Sequence, residues 1–437
     1  MTSPPLDIET VGSELYTMAV RLFPICRSMT GDGVRETLEI LRETVPLEIC
    51  EIPTGTKVFD WVVPREWNVR DAYVKNNDGQ RIIDFRQSNL HLVNGSLPVR
   101  QSLAWRELKQ HLHTLPSQPD LIPYRTCFFK DEWGFCMTQN QFDELEATGD
   151  QTYEVVIDTT IKDGSLTYGE YCLPGELPDE ILFSAHVCHP SLANDNLSGI
   201  CIAALLAKRL LQLPRRRFSY RFLFAPATIG AITWLAQNHG ELDRIKHGLV
   251  LSLLGDPGHA TYKRSRSGNA KIDQVVEHVL TTSGDPFEVR DFAPYGYDER
   301  QFCSPGINLA MGCLMRTPNG EFAEYHTSGD DLQFINTASM ADSFENCLRI
   351  LEIFENDDSF VNLYPFGEPR LGNHGLYESL PVDVNREQFQ QAIQWVLNFS
   401  DAEHSLFDIA VRSQMDFSLI HGAARQLAGC GLIASQD

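Results

Sequence analysis

The chain has 437 residues, 43% of them hydrophobic, and a formal net charge of −23. At about 150 residues per domain that length predicts two or three domains, and the hydrophobic share is enough for a sizeable packed core. The acidic balance disfavours nucleic acid and anionic membrane surfaces as partners, because both select for basic patches.

The opening segment MTSPPLDIETVGSEL has neither a basic region nor an apolar stretch, so no signal peptide is expected. No apolar run is long enough to span a bilayer. The eleven cysteines are scattered and none forms a CxxC pair. They read as free thiols in a reducing compartment, which makes the cytoplasm the expected location.

Residues 7–22 and 34–45 have the pattern of amphipathic helices, split by the turn-rich Ser28-Met29-Thr30-Gly31-Asp32-Gly33. From about Glu51 to Cys136 the short β-like stretches KVFDWVV, RIIDF and LHLV are separated by Pro, Asn and Gly, which predicts a small β-rich unit. Within this region Trp61, Trp67 and Trp133 are expected to pack a core, with a sugar-stacking surface as the alternative. TYEVVIDTTI, KDGS and LTYGEYCL read as a hairpin. ILFSAHV is a continuous apolar run and so a buried strand. Ile200, Ala204, Ala207 and Leu211 then recur at helical spacing. YRFLFAPA and GLVLSLLG are two more candidate buried strands, with TIGAITWLAQNHG as the helix between them. Alternation of this kind predicts an α/β architecture with a parallel or mixed sheet. A last long helix is expected over Thr337–Asn356, followed by a Pro/Gly-rich linker from Tyr364 to Gly375. Three short helical patterns follow, NREQFQQAIQWVLNF, EHSLFDIAVRS and DFSLIHGAARQLAGCGLI. They resemble a winged-helix or helix-turn-helix module.

Chemistry concentrates in SAHVCHPSLANDNLSG, residues 184–199, where a buried strand gives way to a helix. In α/β sheets, sites gather at the carboxyl ends of strands. His186 and His189 stand at the strand exit, and Asp195 stands just before the helix between Asn194 and Asn196. Imidazole and carboxylate together suit zinc or a similar divalent metal, whereas the Asn-Asp-Asn run could equally cap the helix. A second segment, EYHTSGDDL at 324–332, holds His326 with Asp330 near enough to orient a metal-bound imidazole. A third, GYDERQF at 296–302, groups Asp298, Glu299 and Arg300. Taken alone, these last two read as a polar turn and a solvated charge cluster.

Together the three segments resemble the zinc-dependent aminopeptidases and carboxypeptidases of the bacterial leucyl aminopeptidase fold. The matching residues are His186, the run Asp195-Asn196-Leu197-Ser198-Gly199, Tyr325-His326-Thr327 followed by Asp330, and Tyr297-Asp298-Glu299-Arg300-Gln301-Phe302. A closer resemblance covers nearly the whole chain. It is carried by FPICRSMTGDGVRETL, IPTGTKVFDWVVPREWNV, YRTCFFKDEWGFCM, HVCHPSLANDNLSG, YDERQF and EYHTSGDD, and it points to a group of aminopeptidase-like proteins associated with polysaccharide biosynthesis. The resemblance implies a mixed-sheet, phosphorylase/hydrolase-like core over 1–50 and 129–365, an inserted β-rich domain over 51–128 and a winged-helix domain over 373–437. It implies a zinc ion held by His186, Asp195 and His326, with His189 as a fourth ligand or substrate contact.

The sequence departs from the family where active peptidases carry two adjacent glutamates, one a general base and one a ligand. Pro226-Ala227-Thr228 stands there. A metal-binding Asp expected near Leu251 is displaced to Asp256 or lost. One zinc per chain is therefore expected, with Glu299 and Glu324 as alternative bases and Tyr325 as a hydrogen-bond donor to a developing oxyanion. Cys188, between the two histidines, reads as buried packing, with nucleophile or soft ligand as the alternative.

Three functions compete. The first is amide hydrolysis on a small peptide-like substrate. The second is a non-catalytic protein that binds a ligand or partner in the same cleft. The third is a metabolite-sensing DNA-binding regulator. From Asn373 to Asp437 there are three arginines, no lysine and eight acidic residues, which argues against the third. The C-terminal module is instead expected to make protein contacts or a homo-oligomer.

Overall fold

The computed structural model describes residues 7–374, 376 and 385–435. The chain forms two compact units. One comprises residues 1–273 and 288–344, and the other 274–287 and 345–437.

The first unit is organised by an eight-stranded mixed sheet. In spatial order its strands are Glu48–Pro53, Ser165–Leu173, Ser219–Ala225, Glu180–His186, Ile245–Leu251, Met311–Met315, Ala260–Lys263 and Phe287–Arg290. The four inner strands, from Ser219–Ala225 to Met311–Met315, run parallel. These are the continuous apolar runs of the sequence, and every residue of Glu180–His186 is buried, as a strand covered on both faces requires. The helix Gly199–Leu211 follows this strand and is buried on all sides over most of its length. The apolar stripe differs from expectation at its end, where Leu210 is buried and Leu211 is 37% exposed. The expected helices Ile8–Leu22, Ile229–Gln237 and Thr337–Asn356 are present.

The expected hairpin over 152–173 does not form. Thr152–Lys162 enters a separate four-stranded sheet ordered Arg81–Asp84, Glu66–Lys75, Thr152–Lys162, Val99–Ala104. Ser165–Leu173 crosses into the eight-stranded sheet, where it pairs with Glu48–Pro53 and Ser219–Ala225. The two strands bury into different cores: Tyr153, Val155 and Ile157 join Trp67, Trp105 and Phe135, while Leu166 and Tyr168 join the core of the large sheet. The crossing point is Gly164, where a Cβ would come within 2.4 Å of a Glu66 carboxylate oxygen. Glu66 accepts the Ser165 N–H at 3.2 Å and pairs with Arg35 at 2.5 Å, tying the two sheets together.

Strand pairings cross the expected domain limits. Glu48–Pro53 lies in the large sheet, and Val58 and Val63 of the small hairpin pack against its core. The four-stranded sheet begins at Glu66 and takes in residues up to Lys162, beyond the expected limit of 128. The LHLV stretch is a short 3-10 turn at Asn89–His91 and not a strand.

The second unit contains the helices Arg386–Phe399, Leu406–Ser413 and Phe417–Gly429 with a three-stranded sheet of Ser359–Asn362, Asp401–Ser405 and Ile433–Ser435. The first of these strands precedes the expected linker, so the module starts before residue 373. Residue 375, at the end of the expected linker, and residues 377–384 beyond it lie outside the described residues. Among the described residues no helix is long and apolar enough to cross a membrane.

Candidate metal centre

The site lies at the carboxyl ends of the parallel strands, around Asp195. Strand Glu180–His186 delivers His186 at its last position. The chain then turns through His189 and Ser191 into the irregular segment Ala193–Ser198, in which Asp195 and Asn196 leave helical geometry before the buried helix begins. The flanking asparagines do not cap that helix. Asn194 receives the Gly255 N–H at 2.8 Å and donates to Asp256 at 3.0 Å, while Asn196 donates to Leu251 O at 3.0 Å and receives the Leu253 N–H at 3.2 Å. Both side chains therefore clamp the loop to the end of the neighbouring strand.

Asp195 is fully buried. His186 Nε2 lies 2.9 Å from its Oδ1, and His326 Nε2 lies 3.1 Å from its Oδ2. His189 Nε2 stands 3.9 Å from Oδ2. Ligand atoms of His186, His189 and Asp195 all fall within 4.8 Å of one another. Burial opposes ionisation of Asp195, but the surrounding imidazoles outweigh it and hold the carboxyl well below its ordinary range. Burial pushes the His189 imidazole down to about 3, so it is neutral near pH 7 and one ring nitrogen keeps a lone pair for a cation.

Aromatic rings fix the histidines. Tyr297 stacks on His186 with centroids 5.0 Å apart, and Tyr325 stacks on His326 at 4.0 Å. Tyr124 meets both His189 and His326 edge-on, at 5.3 and 5.2 Å. Its own N–H donates to His326 O at 2.7 Å, and His326 has φ of 56°, a left-handed conformation uncommon for a residue with a side chain. Arg27, 1% exposed, donates from Nε to His189 O at 2.8 Å. Sequence alone assigns no role to Tyr124, to Tyr297 as a stacking partner, or to Arg27. The strings FPICRSM, YRTCFF and YDERQF carried the only signal for them.

The carboxylates sort into different duties. Asp330 does not orient His326. Its Oδ1 accepts the Asn194 N–H at 2.5 Å and its Oδ2 the Asp195 N–H at 2.9 Å, so it holds the backbone of the central aspartate. Burial pushes its carboxyl up to about 8. Asp256 is occupied by the Gly258 N–H, the Thr317 N–H and hydroxyl, and Asn194, which makes it an anchor and not a displaced ligand. Asp298 is buried, its carboxyl is pushed up to about 7 by burial, and its Oδ1 has no hydrogen-bond partner among the described residues. His186 Nδ1 is likewise buried and unpartnered.

Of the expected bases, Glu299 is fully buried and ion-paired with Lys263, whose ammonium also donates to Tyr295 O at 2.7 Å. That pairing removes it from the role of free base. Glu324 is half-buried and its carboxylate makes no hydrogen bond or ion pair among the described residues. Tyr325 keeps its proton, because burial and then the Asp195 charge raise its pKa. Cys188 is buried against Ala227 O at 3.7 Å and its thiol is pushed up to about 12, which fits packing and not nucleophilic attack. Ala227 and Thr228 link strand Ser219–Ala225 to the helix Ile229–Gln237 and bring no carboxylate there.

The ligand atoms of His186, His189 and Asp195, which cluster, are of the donor types that zinc takes. The fold is that of aminopeptidase-like proteins. A zinc aminopeptidase from Bacillus subtilis, 12% identical, superposes over 78% of this chain and 94% of that chain with a TM-score of 0.54. An aminopeptidase from Aneurinibacillus sp. strain AM-1, also 12% identical, covers 80% and 95% with a TM-score of 0.51. At such identity the likeness is one of fold. Residues 16–357 match the family described as Domain of unknown function (DUF4910), and the chain belongs to that family. Residues 358–435 match a winged helix-turn-helix family. A relative from Clostridium acetobutylicum, named as a candidate polysaccharide biosynthesis protein with an aminopeptidase-like domain, is 50% identical over 416 residues, 95% of each protein. A crystal structure from the same organism, named a candidate peptidase, is 49% identical, covers 98% of both chains and has a TM-score of 0.92.

Proposed function

We propose that this protein is a zinc-dependent amide hydrolase of the aminopeptidase type, working on a small peptide-like substrate at a mononuclear site. The observation that carries this reading is the convergence of His186 and His326 on opposite oxygens of buried Asp195, with His189 beside them. The aminopeptidase fold of the neighbours and the names of the Clostridium acetobutylicum relatives support it.

In this reading His186, His189, Asp195 and His326 hold the ion. When bound, zinc polarises a carbonyl and lowers the pKa of water. The chain's own residues do the rest. Asp330 and Arg27 fix the loops that carry Asp195 and His189. Tyr297 and Tyr325 limit ring rotation of their histidines. In this proposal Glu324, whose carboxylate has no ion pair or hydrogen bond among the described residues, takes the proton, and the protonated Tyr325 hydroxyl is the donor to a developing oxyanion. The free thiols fit the cytoplasm, and the acidic winged-helix module serves as a protein-contact or dimerisation element.

Elemental analysis of the purified chain tests this. About one zinc per chain, lost in His326→Ala, together with hydrolysis in a screen of aminoacyl amides, is the expected result. Zinc content unchanged by His326→Ala would overturn the site. A second reading is favoured by Ala227-Thr228 in place of paired glutamates: a non-catalytic protein that binds its ligand at the same centre. Hydrolysis that appears only in Ala227→Glu/Thr228→Glu would establish it.

A further inference from the structure

His186 has one ring nitrogen accounted for and one that is not. Nε2 lies 2.9 Å from Asp195 Oδ1, so it is the nitrogen that faces the ion in the proposed site. A neutral imidazole that gives Nε2 to a metal carries its proton on Nδ1. Nδ1 is buried and has no hydrogen-bond partner among the described residues. A buried N–H without an acceptor is costly, and metal-bound histidines ordinarily donate that proton to a carboxylate, a carbonyl or water.

The same region holds a buried acceptor without a donor. Asp298 is 2% exposed, and its Oδ1 has no partner among the described residues. It stands at the N-cap of the helix Glu299–Phe302, where an aspartate ordinarily accepts a helix N–H, yet its side chain makes no such bond. Tyr297, the residue before it, stacks on the His186 ring at 5.0 Å and 17°, which brings the chain at Asp298 alongside that ring. Burial raises the pKa of the Asp298 carboxyl, and the His186 imidazole is the first influence that opposes burial. Other groups at this end of the sheet are engaged or unsuited. Glu299 is ion-paired with Lys263. Cys188 contacts His189 Nδ1 and Ala227 O. The Tyr297 hydroxyl belongs to a ring stacked over the imidazole and not in the plane of its N–H. Ser252, also buried and unpartnered, offers a neutral oxygen, a weaker acceptor than a carboxylate.

We propose that Asp298 is a positioning residue of the metal centre: its carboxylate takes the Nδ1 proton of His186, directly or through one bound water, and so holds Nε2 open to the ion. The inference rests on the metal reading above. It also explains why an aspartate that caps nothing is kept buried with an unsatisfied oxygen, an arrangement that costs stability and gains nothing in packing.

Three measurements on the full chain test it: metal-free thermal melts, zinc affinity by competition with a chelator, and nitrogen NMR of histidine-labelled, zinc-loaded protein. Asp298→Leu is expected to melt at or above the parent without metal, because an unsatisfied buried carboxyl is removed. The same variant is expected to bind zinc about 10–100-fold more weakly. Asp298→Asn, which keeps an acceptor oxygen, should fall between the two. In the zinc-loaded parent, His186 should carry its proton on Nδ1. Metal-free stability that falls in Asp298→Leu along with zinc affinity would overturn the assignment, since Asp298 would then be a structural residue. Zinc affinity unchanged in Asp298→Leu, or lowered in Ser252→Ala instead, would overturn it while the parent still bound zinc. A parent that takes up no zinc would overturn the metal reading itself, and this inference with it.

Discussion

Asp330 accepts the backbone N–H of Asp195 at 2.9 Å, and so one buried carboxyl fixes the direction in which the other points. The second oxygen of Asp330 takes the preceding N–H, of Asn194, at 2.5 Å. Asp330→Asn retains one acceptor and replaces the other by a donor facing a backbone N–H. Zinc affinity is expected to fall about 10–100-fold, as for other partners that orient metal ligands. A competition titration against a chromophoric chelator measures this, and an unchanged affinity would show that the Asp195 loop holds its shape unaided.

Glu299 and Glu324 are expected to separate cleanly. Glu299→Gln leaves the buried Lys263 ammonium without its counter-charge and costs about 3–5 kcal/mol of stability. Glu324→Gln breaks no side-chain hydrogen bond or ion pair among the described residues and leaves the melting temperature nearly unchanged, while lowering amide hydrolysis about 100-fold or more. Thermal melts of both variants beside a single-substrate assay distinguish a buried counter-ion from a proton acceptor.

Asp256→Ala tests whether a second metal ligand has been overlooked. Its four hydrogen-bond donors would lose their acceptor, and about 3 kcal/mol of stability should go with them. Zinc per folded chain should stay the same. A fall in metal content without a fall in stability would instead make Asp256 a ligand.

Glu66 governs an acid-sensitive joint. Pairing with Arg35 lowers its pKa from the ordinary 4.5 against the opposing effect of burial. A carboxyl depressed in the folded state contributes stability above its ordinary pKa, and that contribution disappears as pH falls through the depressed value. Glu66→Gln should therefore melt lower than the parent near pH 7, by about 1–3 kcal/mol, with the gap closing on acidification below pH 4.5. Melting curves across that range check the sign. A gap that persists in strong acid would assign the effect to packing against Gly164.

How much of this was legible from residues alone depends on how local the signal is. The parallel strands and the helices over 199–211 and 337–356 announce themselves through long apolar periodicity, which needs no knowledge of neighbours. His186, His189, Asp195 and His326 come together as expected ligands only through the resemblance to zinc aminopeptidases, because the string around His326 alone reads as a polar turn. The hairpin over 152–173 failed because two adjacent strands with compatible alternation pair by default. They diverge into different cores at Gly164, which packs against Glu66, and that contact spans almost a hundred residues. The duties of Asp330 and Asp256 were illegible for the same reason: a carboxylate that takes backbone N–H groups looks, in sequence, like one that takes a metal.

The carbonyl of His326 receives its hydrogen bond from Tyr124, and the side chain of His326 meets an aspartate 131 positions earlier. No contiguous stretch of chain can make this centre. Loop closure over such separations is slow compared with the formation of helices, so during refolding the ion should be captured after most secondary structure has returned. Metal uptake then becomes a clock for the end of folding: zinc-dependent protection from proteolysis should lag the recovery of helical circular dichroism.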